Sequence, residues 1–321
     1  MPIKFSSSMR KFFVILILSL IIFIFFIFNS KYQLNFKNDS DHSLKNSKIE
    51  KLLCVVLTTE SNIKTRGVAV WNTWGQQLYK RGNLVFACNC PNIIKLKALL
   101  NEKKEIPNDL IIFKSVSHLP VIHVNVTEDK AKMGKKVIVV LKETYEIHYK
   151  NNSNWYYMVD DDAYVFVDNL YKFIKTRDTD LPFMYGFHFK HLPLPGGHIG
   201  GGSGILLTDE SLKRLVKKID ENGCNSFIDT YGDVTIGGCG YSAGVIIGNS
   251  SDVYDRPRFH FHDVNTHFHG PIPKYLFEYG VHNKKIGKEC CSLETIAFHY
   301  IKEADMYKMH ENKNFLVELL T

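Results

Sequence analysis

The sequence predicts an α/β domain built on a largely parallel sheet, and three observations carry that reading. Residues 51–59 form an apolar, strand-like run, followed by a helical stretch at 66–79 and a second strand at 83–87. That order implies parallel pairing through a right-handed crossover. Further on, Trp155-Tyr156-Tyr157-Met158-Val159 runs unbroken into Asp160-Asp161-Asp162, and a continuous apolar run marks a strand covered on both faces, as in a parallel sheet. Finally, the glycine-rich 200–204 precedes the apolar strand 205–207 and a helix at 209–219, for which Thr208 is a suitable cap.

Ahead of the domain, residues 12–28 are apolar except for Ser19 and follow Lys4, Arg10 and Lys11. A run of about 17 such residues is at the short end for a membrane span, and the flanking charge places the N-terminus in the cytosol. No Ala-x-Ala cleavage pattern follows, so a type II signal anchor is expected rather than a cleaved signal. The expected organisation is a cytoplasmic tail (1–11), the anchor helix (12–28), a flexible Asn/Ser/Lys-rich stem (29–50) and a luminal catalytic domain (51–321). Sequons at Asn38, Asn125, Asn151 and Asn249 are compatible with a luminal chain.

Within the domain, a strand is expected at 110–113 and a helix at 132–149 leading to the acidic strand, with Asp168 capping a helix over 169–174. Three adjacent carboxylates repel one another, and a hard divalent cation relieves that repulsion. Asp160 and Asp162 would then form an Asp-x-Asp pair holding Mn²⁺ or Mg²⁺ against a diphosphate; the plainer alternative is a solvated acidic turn. No glycine-rich phosphate loop follows the first strand, so a diphosphate would be held by metal. Asp229 and Asp233 precede a helical turn, and His299 lies on an otherwise apolar strand, where a histidine is more often a core residue than a ligand. The net charge of +7 is scattered without a basic tract, so no nucleic-acid partner is expected. Cys-x-x-Cys pairs are absent among the seven cysteines, which argues against a structural zinc site.

Taken together, the pieces resemble the Fringe-like β1,3-glycosyltransferases, and most of all the core 1 galactosyltransferases. The resemblance covers roughly residues 51–320. It rests on Asn72-Thr73-Trp74-Gly75, Trp155 leading into the acid triplet, Gly201-Gly202-Ser203-Gly204, Asp233 ahead of Gly237 and Cys239, and Cys290-Cys291-Ser292 ahead of Phe298-His299-Tyr300. It implies a GT-A (Rossmann-like) fold, UDP-galactose as donor, a GalNAc-type O-glycan acceptor, Mn²⁺, residence in the Golgi membrane and, by analogy with relatives, a homodimer. Carried over by position, Asp160, Asp162 and His299 hold the metal and Asp233 is the general base. Thr58, Trp74, Asp160, Asp161 and Gly202 belong to the nucleotide-sugar side, and Tyr300, Tyr275 and Phe277 to the acceptor side. Where the family carries a Trp-rich acceptor segment, residues 274–282 have no Trp, so altered acceptor use is expected. Alternatives are a β1,3-transferase with another donor or acceptor, and a non-catalytic chaperone, which the complete acid triplet disfavours.

Cys224 with Cys239 is the expected bridge, Cys290 with Cys291 a vicinal pair, and Cys54 the odd thiol. Cys88 lies about four residues beyond Cys54 in a parallel register, roughly 13 Å, too far to bridge it.

Overall fold

A computed structural model describes residues 50–129, 133–190, 194–282 and 285–321. The expected tail, the anchor helix and the stem up to residue 49 lie outside the described residues. Among the described residues, no helix is long and apolar enough to cross a membrane.

The centre is a seven-stranded mixed sheet. Strand β1 (Leu52–Leu57) is followed by α1 (Arg66–Val70), a π-helical turn (Trp71–Gly75) and α2 (Gln76–Arg81), then β2 (Asn83–Cys88), α3 (Pro91–Asn101), α4 (Asn108–Ile111) and β3 (Val121–His123). The chain returns through α5 (Met133–Lys150) to β4 (Trp155–Asp160), on the other side of β1. β4 pairs with β1 in parallel, Leu57 opposite Asp160, and β1 pairs with β2 in parallel. Because β2 and β4 flank β1 on opposite sides, the connections diverge there, and in open α/β sheets ligands bind at such a switch point. Thr58 and Asp160–Asp162 lie at those carboxyl ends.

The expectation of an all-parallel environment for β4 holds on one side only. Its other neighbour, β9 (Ile205–Thr208), is antiparallel. So is the pairing of β9 with β6 (Phe183–Tyr185), and β10 (Ile246–Ile247) closes that edge. Burial follows the pleat: Leu52, Cys54 and Val56 join Trp155 and Tyr157 in one core cluster, while Leu53 and Val55 join Tyr156 and Met158 on the opposite face.

Two local expectations are corrected. Residues 110–113 are not a strand: Leu110 and Phe113 are buried while Ile111 and Ile112 are exposed, a helical spacing, and the chain forms α4 and a 3₁₀ turn (Lys114–Val116) instead. Asp168 does not cap its helix. α6 (Val167–Ile174) begins two residues earlier than expected, with Phe166 at the cap position, and the Asp168 carboxylate accepts from Gln77 and Arg81. Thr208 does cap α7 (Asp209–Asp220), accepting from the Ser211 N–H.

A three-stranded sheet carries the C-terminal part of the chain to the switch point. In it β12 (Ala297–Phe298) lies between β5 (Tyr164–Val165), which follows the acid triplet, and β11 (Phe259–His260). A ribbon of β7 (Phe187–Phe189) and β8 (His198–Gly200) leads into the glycine loop, and α8 (Gly232–Ser242) packs against β8. Disulfides join Cys224–Cys239 and Cys290–Cys291, as expected, and Cys88–Cys90, a pairing the sequence left open; Cys54 is free and buried.

Candidate active site

A cleft of about 510 Å³ opens over the carboxyl ends of β1 and β4. Thr58, Asp160, Asp161, Asp162, Gly202, Asp233, His299 and Tyr300, all singled out from sequence, line it. Asp160, Asp162 and His299 each present a ligand atom within 4.8 Å of the others, a group that can hold a divalent cation. His299 Nε2 lies 3.0 Å from Asp162 and 3.7 Å from Asp160. Backbone bonds fix this meeting: the Ile301 N–H donates to the Asp162 carbonyl at 2.8 Å, and the His299 N–H to that of His260 at 3.1 Å.

Electrostatics separate the three acids. Burial pushes Asp160 up to about 7, with Asp162, Asp161 and Asp233 adding to the rise and His299 opposing it. Since 38% of its side chain faces the cleft, water softens that rise. Burial also pushes Asp162 up, but hydrogen bonding to His299 and the charges of His299 and Arg66 hold it below the ordinary carboxylate value. Burial pulls His299 down, yet its bond to Asp162 and the two carboxylate charges leave the imidazole above its usual value. Asp161 turns away from the cation group, accepting from Thr58 Oγ1 at 2.7 Å and Arg66 at 3.3 Å.

The glycine loop is a close-approach device. A Cβ on Gly202 would lie only 2.1 Å from two atoms of the His299 ring, and the Gly202 carbonyl accepts from the Asp160 N–H at 3.4 Å. The Gly201 N–H donates to Asp233 Oδ2 at 3.3 Å, and the Val234 N–H to Oδ1 at 2.8 Å, which aims this carboxylate from the first turn of α8. Asp229, its rival by sequence, is exposed and pairs with Lys135, away from the cleft. Tyr300 adopts φ 55°, a left-handed conformation unusual for a bulky residue, with its ring stacked on His299 at 3.8 Å.

Three assigned residues stand outside the cleft wall. Trp74 is buried in the π-helical turn, and its indole N–H donates to the Ala163 carbonyl at 3.0 Å, so it braces the acid turn from behind. Tyr275, on α10 (Lys274–Tyr279), is one layer back: its hydroxyl bonds His262 at 2.6 Å, and His262 packs against Tyr300. Phe277 is exposed, two residues on and so turned away from the helix face that carries Tyr275. The sequence reading missed Arg66, which grips Asp161 and Asp162, and Lys136, which is buried and donates to the Thr58 carbonyl at 2.6 Å and Glu128 at 2.9 Å. Arg66 opens the first helix after β1, a position that in this topology faces the strand ends, and that signal was readable.

No protein-family model matches the chain. It is 28% identical over 275 residues to glycoprotein-N-acetylgalactosamine 3-beta-galactosyltransferase 1 of Xenopus laevis, covering 84% of this chain and 68% of that protein. It is 29% identical over 131 residues to human chondroitin sulfate synthase 3, which spans 38% of this chain and 14% of that one. Among solved structures, the galactosyltransferase LgtC with donor and acceptor sugar analogues gives a TM-score of 0.40 at 13% identity, covering 84% of this chain and 95% of that one. A glycosyltransferase that glycosylates the PBCV-1 major capsid gives 0.37 at 13%, covering 81% and 98%. These structural likenesses are too loose to assign a fold. The Xenopus match covers most of this chain, and it makes the chain a homologue of a glycosyltransferase.

Proposed function

We propose that the protein is an inverting, GT-A-type β1,3-galactosyltransferase that moves galactose from UDP-galactose to a GalNAc-type acceptor on a glycoprotein. The observation that carries this reading is the convergence of Asp160, Asp162, His299 and Asp233 in one cleft, in a chain that aligns with an N-acetylgalactosamine 3-β-galactosyltransferase. Two carboxylates with one imidazole suit Mn²⁺ better than Ca²⁺, which takes all-oxygen sets, or structural Zn²⁺, which usually takes thiolates. The cradle fits a bound ion, since Gly202 leaves the imidazole room beside the acids. When bound, the cation supplies Lewis-acid neutralisation of the departing diphosphate.

The chain's own groups do the rest. Asp233, held by two backbone N–H groups, takes the proton of the acceptor hydroxyl as that oxygen attacks the anomeric carbon from the face opposite UDP. Arg66 and Thr58 lock Asp161, and Arg66 steadies Asp162, so the acids keep their positions as charge develops. Tyr300, over His299, walls the acceptor side.

Residence as a single-pass type II Golgi membrane protein is part of the proposal, supported by the apolar run 12–28. Asn125 and Asn249 are also exposed, as glycan acceptors must be. A second reading, a β1,3-transferase with another acceptor, is favoured by α10, which offers Tyr275 rather than a Trp face. Assay of the purified chain against UDP-sugars and a GalNAc-Ser/Thr glycopeptide, with and without Mn²⁺, separates the two. Galactose transfer to the glycopeptide supports the first, transfer only to other acceptors the second, and no UDP-sugar turnover with any metal removes both.

A further inference from the structure

Beside the reaction cleft lies a second cavity of about 500 Å³, and Tyr300 stands in the wall of both. It is a trough between α9 (Val264–His269), α11 (Glu303–Glu311) and α12 (Phe315–Leu320). Phe268, Ile301, Met309, Phe315 and Leu319 supply its apolar lining. Charges mark its rim, and most are already engaged. Asp263 caps α9 by accepting from the Thr266 N–H at 3.0 Å, and Asp305 pairs with Lys308 at 3.1 Å. Lys302 is exposed and makes no ion pair among the described residues.

We propose that this trough binds the polypeptide carrying the acceptor sugar, seating an apolar side chain on its lining and a neighbouring acidic residue against Lys302. The inference rests on the glycoprotein acceptor read above. Position is the first support. Contacts run from Lys136 through Thr58 to Asp161 on one side of the cleft, and through Asp162 and His299 to Tyr300 on the other. Asp233 and Tyr300 line the same cleft and Tyr300 also walls the trough, so a polypeptide attached to an acceptor held between those two residues has the trough beside it. The partition between the two cavities is also fixed: the Tyr300 ring is stacked on His299, and the next peptide is bonded to Asp162. Chemistry chooses the occupant. The lining is mixed, with Asn265, His269 and the rim charges beside its phenyl, thioether and aliphatic carbons. A peptide matches both, since an apolar side chain gains by covering the carbons while a polar neighbour meets the rim. The Lys302 ammonium, with no ion pair among the described residues, then selects an acid close by.

The test is binding to the full chain, with UDP and Mn²⁺ present, of two fluorescent GalNAc-Thr glycopeptides: one with Leu and Glu beside the glycosylated residue, the other with Ser and Lys. The expected result is roughly tenfold tighter binding of the first, the scale of one or two good contacts. Lys302→Glu should cancel or reverse the charge preference and Leu319→Ser the apolar one, both keeping UDP-galactose hydrolysis within about twofold. Equal binding of the two glycopeptides by the unmodified chain overturns the proposal, as does a preference that survives in Lys302→Glu, an exposed change that leaves the fold intact. An equal gain from adding a second sugar to the Ser/Lys glycopeptide would give the trough to glycan and also overturn it. Hydrolysis reports on the donor reading alone. If it is absent while the peptide preference persists, the galactosyltransferase reading fails and the trough stands.

Discussion

On the side of the cleft proposed for the nucleotide, the groups hang from the ends of central strands: Thr58 follows β1, and Asp160 closes β4 in register with Leu57. On the side proposed for the acceptor they hang from short elements, with Tyr300 just past a two-residue strand and Tyr275 on a six-residue helix. A strand end inside a seven-stranded sheet cannot shift without breaking its ladder, so Asp160 is fixed by the fold. His299, the third member of the acid-and-histidine group, follows the two-residue β12 and is held there by its N–H bond to the His260 carbonyl. Groups on short helices and turns exchange at small cost to stability. Under the proposed function, the donor side is then expected to be the more constant and the acceptor side the easier to change.

The harshest way to break that contrast is Asp162→Ala. Galactosyl transfer should fall by roughly a thousandfold, several kcal/mol of lost transition-state stabilisation, with an unchanged circular dichroism spectrum. Asp233→Asn comes next, with transfer slowed by at least about a hundredfold while UDP and Mn²⁺ still bind, and Asp229→Asn near normal. Reversed outcomes for those two acids would move the base to Asp229. Gly202→Ala forces His299 aside, and Mn²⁺ titration should show affinity lower by about ten- to a hundredfold. An unchanged affinity would show that the loop yields and that the nucleotide side is softer than its sheet suggests.

Acid should test the acceptor side separately. His267 and His282 are each held down to about 4, by burial first and then by neighbouring histidines, His262 for one and His188 for the other. Their neutral forms are favoured in the fold, so this stability is complete above about pH 6.5 and is lost as pH falls toward 4. The loss is roughly 1.4 kcal/mol per pH unit for each histidine. Urea denaturation at pH 7, 6 and 5 measures it, and His282→Gln should flatten the slope. The smallest effect is expected from Tyr275→Phe, which removes the bond to His262, worth about 1 kcal/mol. Acceptor KM should rise a few-fold with donor KM unchanged. A change in donor KM instead would mean that the two sides are mechanically joined.

The readable parts of the sequence were those where local pattern and function coincide. The apolar run into Asp160–Asp162 announces a buried strand and a charged end together, and it is where the structure places both. The glycine loop was less legible, since a glycine run before an apolar strand is as consistent with a mobile loop as with close approach to a ligand, and only the packing of Gly202 on His299 decides it. Residues whose role depends on distant partners were not legible. Nothing local to Lys136 says that it lies buried against Thr58, and nothing around Trp74 distinguishes a brace behind the acid turn from a wall of the cleft. The apparent strand at 110–113 failed because a four-residue apolar run carries no period, and exposure alone decides it. Antiparallel β9 escaped because strand direction is set by connections rather than composition.

The bond between the Ile301 N–H and the Asp162 carbonyl also sets an order in time. During synthesis the strands that carry the acids emerge first and can pair among themselves, while His299 arrives more than a hundred residues later. The cation group therefore cannot exist until the last part of the chain has docked. Tight metal binding thus reports completed folding, and a nascent chain with its sheet already formed would still be catalytically silent.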